Sequence, residues 1–137
     1  MPLAASPNRR IAVDVSGETV VFVCRVPSAA ELSKFLNARF ETKRNKVKSH
    51  VYEARQEFID KIAIDIENAT YVGADGVEKP LNARTVLEDQ DKTYWSGIQG
   101  EPVQSWKDLI PLSWKSSAAQ QFEDSANVGE DEGATKN

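Results

Sequence analysis

A chain of 137 residues, 40% hydrophobic and 28% charged with a single cysteine, has the balance of one ordinary soluble domain, not that of a fibre or a disulfide scaffold. Seventeen basic against 21 acidic residues leave a net charge of −4, so the molecule as a whole exerts no long-range pull on nucleic acid or an anionic membrane, and any basic site must be local. The longest apolar run, residues 20–24, is far short of the roughly 20 that span a bilayer, and Asp14 and Glu18 interrupt any export signal after Arg9-Arg10. The lone Cys24 excludes an internal disulfide, and one cysteine with one histidine cannot assemble the usual zinc site. The expectation is a cytoplasmic protein without membrane segment, metal or cofactor.

In chain order, residues 1–9 are small, proline-punctuated and aperiodic, and read as a flexible arm. Ile11, Val13 and Val15 alternate with Ala12 and Asp14, Ser16-Gly17 is turn chemistry, and residues 20–26 resume as a β-branched run, which predicts a hairpin. An isolated hairpin is barely stable in water, so its apolar face must pack on something else. Pro27 stops the strand, and Ser28 with Glu31 has the spacing of a capping box, so a helix starts at Ser28. Ala29, Leu32, Leu36 and Phe40, widened by Phe35, give it one buried face.

Residues 42–45 interrupt that helix, and Val47, Val51, Ala54, Phe58, Ile62 and Ile66 predict a second, longer one. Ile62, Ile64 and Ile66 also alternate, so its last turn is open to a strand reading that feeds Thr70-Tyr71-Val72; helix is the preferred reading. Residues 73–76 are a turn and Pro80 closes a loop or short ribbon. Residues 81–104 are weakly patterned, anchored by Val86, Leu87, Tyr94, Trp95 and Ile98 and broken at Gly97 and Gly100. A short final helix is expected within residues 106–122, with Pro111 in its first turn and Leu112, Lys115, Ala118, Ala119 and Phe122 at helical steps. The predicted fold is α+β, mainly helical: an N-terminal β-hairpin packed on a small helical core, with disordered termini. Residues 1–9 form the arm, 10–124 a single folded domain and 125–137 an acidic disordered tail.

Little in this chain supports catalysis. His50 has no nucleophile or carboxylate partner in motif context and reads as a solvated helix residue, while Cys24, in an apolar strand, reads as a small hydrophobe. Asp14, Asp60, Asp65 and Glu67 make no metal-loop spacing, and the glycines match no phosphate-binding pattern. The expectation is a protein that is not an enzyme.

Two clusters are candidate partner-binding surfaces. Arg39, Lys43, Arg44, Lys46, Lys48 and Arg55, against Glu41 and Glu53, give a net charge of about +4 over residues 39–55. Such a segment is ordinarily a solvated helix–helix corner; as a site it would take phosphates with steep salt dependence, or an acidic partner, including the protein's own segment 123–132. Trp95, Trp106 and Trp114 are either lids over a small core or exposed binding hot spots.

The order of these features resembles the tail assembly chaperones of long-tailed bacteriophages and prophages. The residues that carry the likeness are the strand pair within 11–26, then Pro27-Ser28-Ala29-Ala30-Glu31-Leu32 leading into a helix. A long charged helix through residues 58–66 follows, then Asp75-Gly76, then Asp108-Leu109-Ile110-Pro111-Leu112-Ser113-Trp114-Lys115 before a small-residue helix closing on Phe122. The likeness covers residues 10–124. It implies a non-enzymatic chaperone that binds the long, helical tape measure protein, keeps it soluble and supports assembly of the tail tube, with, in several family members, an extended frameshift product; self-association is left open beside it. The alternative is a small nucleic-acid-binding or regulatory protein using residues 39–55.

Overall fold

The computed structural model describes residues 8–95 and 101–135, with side chains as far as Ser125. Strands β1 (Asn8–Val15) and β2 (Glu18–Arg25) pair antiparallel, from Asn8 opposite Arg25 to Val15 opposite Glu18. Ser16 and Gly17 both take positive φ, +51° and +85°, the two-residue turn whose twist matches that of the flanking strands. The period of two puts Ile11, Val13, Val20, Phe22 and Cys24 on one buried face. Strand β1 starts at Asn8, two residues ahead of the expected domain boundary; residues 1–7 lie outside the described residues.

Ser28 caps α1 (Ala29–Ala38) as its spacing predicts: the Glu31 N–H donates to Ser28 Oγ and the Ser28 N–H donates to Glu31 Oε1, both at 3.1 Å. Beyond α1 the structure departs from the expectation. Residues 40–49 are not the corner of two helices but an antiparallel ribbon, β3 (Phe40–Lys43) and β4 (Lys46–Ser49), turned by Arg44 and Asn45 at φ +52° and +64°. Helix α2 (Val51–Ile62) therefore begins after Val47, which is 70% exposed.

The chain next passes directly into strand β5 (Ala63–Glu67), which lies antiparallel on β2 and completes a sheet of order β1-β2-β5. The strand reading of the isoleucine run is the right one: Ile62 and Ile66 are buried on either reading, but Ile64 is 43% exposed and the backbone of β5 satisfies the free edge of β2.

A small ribbon, β6 (Thr70–Val72) with β7 (Glu78–Pro80), precedes α3 (Asp89–Tyr94), a 3-10 turn at Trp106–Leu109 and α4 (Leu112–Thr135). Of the expected anchors in the weakly patterned stretch, Leu87 and Trp95 pack on the core, whereas Val86 and Tyr94 are exposed; Gly97, Ile98 and Gly100 lie outside the described residues. Helix α4 runs past Phe122, where the final helix was expected to close.

The predicted mainly helical fold is thus corrected to a small mixed α+β fold, 41% helical and 31% strand. Two stretches make the difference, residues 40–49 and 63–67, because helical spacing of apolar residues passed through both while the chain was extended. Helices α1, α2 and α4 join in a stack of rings: Phe35 lies parallel to Phe58 at 4.2 Å between centroids, and Phe122 meets Phe58 edge-on at 5.2 Å. Helix α2 reaches the sheet at β2, and α4 at β1, so the buried sheet face and the ring stack form one core.

Candidate functional site

The basic segment predicted as one surface is divided in two by the fold. Arg39, at the C-terminal end of α1, donates through Nη1 to Glu123 Oε1 at 2.6 Å. Arg55, on α2, donates through Nε to Glu123 Oε2 at 2.9 Å and through Nη1 to Ser116 Oγ at 2.9 Å. Glu123 is only 4% exposed, so both guanidiniums are committed to a buried carboxylate and are removed from the candidate surface. Lys43, Arg44, Lys46 and Lys48 remain on the β3–β4 ribbon, all exposed.

His50 sits at the root of that ribbon. Its N–H donates to the Arg39 carbonyl at 2.7 Å, its Nε2 is 2.9 Å from Glu41 Oε2 and its Nδ1 is 3.6 Å from Glu53. The histidine thus joins ribbon to α2 and occupies Glu41, the acidic residue among the four cations.

The tryptophans are also divided. Trp95 and Trp114, both half-buried against the core, line one open groove with Tyr94, Val72, Leu109 and Pro111. Trp106 stands apart on its 3-10 turn, with the Lys107 ammonium 5.8 Å from its ring centroid.

The elements that carry the groove are held together by hydrogen bonds, in which Asp91 and Lys79 take part though sequence pattern did not single them out. Trp95 Nε1 donates to the Val72 carbonyl at 2.8 Å, fixing its ring against the edge of β6. Asp91, fully buried on α3, accepts from the Ala74 N–H at 2.8 Å and from Lys79 Nζ at 3.3 Å, tying α3 to the β6–β7 ribbon. The Ala74 N–H lowers the Asp91 pKa; burial opposes that, and Lys79 adds to it. For Lys79 burial works against the charge, and the hydrogen bond to Asp91 with the charges of Asp75 and Asp91 outweighs it, so its pKa is raised. Gly73 permits this approach, since a Cβ there would lie 2.9 Å from Lys79 Nζ and 3.0 Å from Asp91 Oδ1.

Two further groups have structural surroundings. Burial is the chief influence on Cys24 and pushes its thiol up to about 11, away from the reactive thiolate. Lys115, 2% exposed on α4, places Nζ 2.8 Å from Asp60 Oδ1 in an ion pair that does not meet hydrogen-bond geometry, while Lys107 Nζ donates to the Asp60 carbonyl at 2.6 Å. Among the described residues there is no cluster of three or more His, Cys, Asp or Glu placed to hold a metal ion, and no helix long and apolar enough to cross a membrane.

Glu123 is the point at which the protein's own segment 123–132, one of the acidic partners considered for the basic segment, does meet it, through Arg39 and Arg55, but as a buried residue of the folded domain. The available signal was its position one residue after Phe122, on the helical face that continues Lys115, Ala119 and Phe122. Comparison with protein-family models, with curated proteins and with solved structures finds no match to the chain in any of the three.

Proposed function

We propose that this chain is a non-enzymatic binding protein of the phage tail assembly chaperone kind, holding a long helical tape measure protein soluble in the host cytoplasm while the tail tube assembles. The observation that supports this reading is the open aromatic groove of Tyr94, Trp95 and Trp114 over Val72, Leu109 and Pro111. Shielding an amphipathic helix requires an apolar channel with fixed walls and a polar rim, into which residues at i, i+4 and i+7 can be laid. Trp95 is fixed by its bond to Val72, and Tyr94, 62% exposed with its ring 6.2 Å from that of Trp95, extends the wall into solvent. Large aromatic residues in such a position are the usual carriers of binding energy.

The test is co-expression with a tape measure protein from the same genome. The expected result is recovery of that protein in the soluble fraction, bound to the chain at 1 M salt because the contact is apolar, with loss of both effects for the Trp95→Ala/Trp114→Ala variant. A tape measure protein that pellets with or without the chain would overturn the proposal.

A further inference from the structure

We propose that the β3–β4 ribbon is a second, separate binding site, which docks on the phosphate backbone of duplex nucleic acid. It is independent of the aromatic groove, which lies on other elements.

The ribbon gathers its charge on one face and at its turn. Lys43 lies directly opposite Lys46, and Glu41 opposite Lys48, so these four side chains share one face. Arg44 sits in the turn. Among the described residues none of Lys43, Arg44, Lys46 and Lys48 makes an ion pair, and Glu41 is drawn to His50. Like charges directly opposite on a ladder destabilise the pair. All eight strand residues are exposed, so no burial offsets that repulsion. Four cations held together on one ribbon with no ion pair among the described residues are complementary to a dense anion outside it.

The shape and chemistry of the ribbon favour a duplex over an acidic peptide. A two-stranded ribbon is one of the two elements that the roughly 12 Å wide major groove of a duplex admits. Three of the four cations are lysines, compact point charges that contact phosphate oxygens singly, whereas the planar fork of arginine clasps carboxylates and phosphates alike two oxygens at a time. The two arginines flanking the ribbon, Arg39 and Arg55, are already occupied by such a carboxylate, Glu123. The root is anchored to the body of the protein through the His50 N–H to the Arg39 carbonyl, so the turn is presented at a fixed place.

The experiment is fluorescence anisotropy of a labelled random-sequence DNA duplex of about 24 base pairs, titrated with the full chain at a series of salt concentrations. Four phosphate contacts predict a slope of log K against log salt of about −3.6, or on the order of 100-fold weaker binding at 200 mM than at 50 mM salt. Lys43→Gln, Arg44→Gln, Lys46→Gln and Lys48→Gln should each reduce the slope by about 0.9, and the quadruple variant should lose binding with its melting temperature retained. Lys34→Gln, an exposed lysine on α1, should change nothing. Replacing the three ribbon lysines by arginine keeps the charge and should keep the binding, which separates charge from folding should the glutamine variants unfold. Absence of binding at 50 mM salt, or binding unaffected by the quadruple variant, would overturn the proposal. Displacement of the duplex by poly-L-glutamate at equal charge concentration would also overturn it, by assigning the ribbon to an acidic protein.

Discussion

The β1–β2 hairpin and the β3–β4 ribbon are built on the same local plan, two antiparallel strands joined by a two-residue turn with both φ values positive. They differ in what their alternation delivers. In β1–β2 every second residue is apolar, and Ile11, Val13, Val20 and Phe22 disappear beneath the helices. In β3–β4 the alternation sets lysines on one face and Phe40, Thr42, Val47 and Ser49 on the other, and neither face is covered. The turn sets the register of a hairpin, but burial of a face supplies its stability. A ribbon that gains nothing by burial is free to be written for another purpose.

The sharpest way to break this comparison is to truncate an aromatic residue on each element. Phe22→Ala, fully buried on β2, should cost about 3–5 kcal/mol, and Phe40→Ala, half exposed on β3, under about 0.5 kcal/mol, measured by urea denaturation. Comparable losses would show that the ribbon is packed. Next in size, Glu123→Ala leaves two arginines facing each other without their carboxylate. The side chains of Arg39 and Arg55 are 22% and 16% exposed, so water screens part of the penalty and the expected loss is about 2–4 kcal/mol. A loss below about 0.5 kcal/mol would show that the ion pairs are surface pairs.

Smaller effects sharpen the picture at the junction between the two elements. Ser28→Ala removes the cap of α1 and should cost about 1 kcal/mol in a thermal melt, against a control such as Ser33→Ala. Its partner Glu31 adds a pH dependence. The Arg25 guanidinium, then the Ser28 N–H, hold the Glu31 carboxyl well below its usual value of 4.5. A carboxyl whose pKa is depressed by folding stabilises the fold above its unfolded value, and that contribution is lost as the pH falls through the folded one. The gap in melting temperature between the wild type and Glu31→Gln should therefore be constant at neutral pH and shrink progressively below about pH 4.5. Smallest of all, Lys46→Thr should change stability by no more than about 0.5 kcal/mol, and in the stabilising direction at low salt, since it removes a like-charge pair with Lys43. A clear loss would mean that the lysine stem packs.

Legibility in the sequence follows the same division. The first hairpin and the cap at Ser28 could be read because period, turn and capping residues all agree there. The ribbon was hidden because Leu36, Phe40, Val47 and Val51 fall at helical steps that run straight through it, and because Arg44-Asn45 lacks the glycine that usually announces such a turn. Ile62, Ile64 and Ile66 satisfy both periods, and the choice was made by the unpaired edge of β2, a partner some 40 positions earlier in the chain. The groove was partly legible, as two tryptophans of three, while the bond from Trp95 to Val72 and the burial of Asp91 depend on pairings that no local pattern encodes.

Glu123 lies 84 positions from Arg39 and 68 from Arg55, and these two arginines bracket the ribbon. Contacts of such sequence separation close long loops, whose entropy the local pairing of a hairpin does not have to meet. The two residues that bracket the ribbon are therefore tied to the C-terminal helix as well as, through the His50 N–H to the Arg39 carbonyl, to each other's neighbourhood. A protein stopped after Phe122 has every aromatic residue of the core in its sequence and lacks the carboxylate on which both arginines close, so one residue separates a chain that carries the rings alone from a chain that carries rings and clasp.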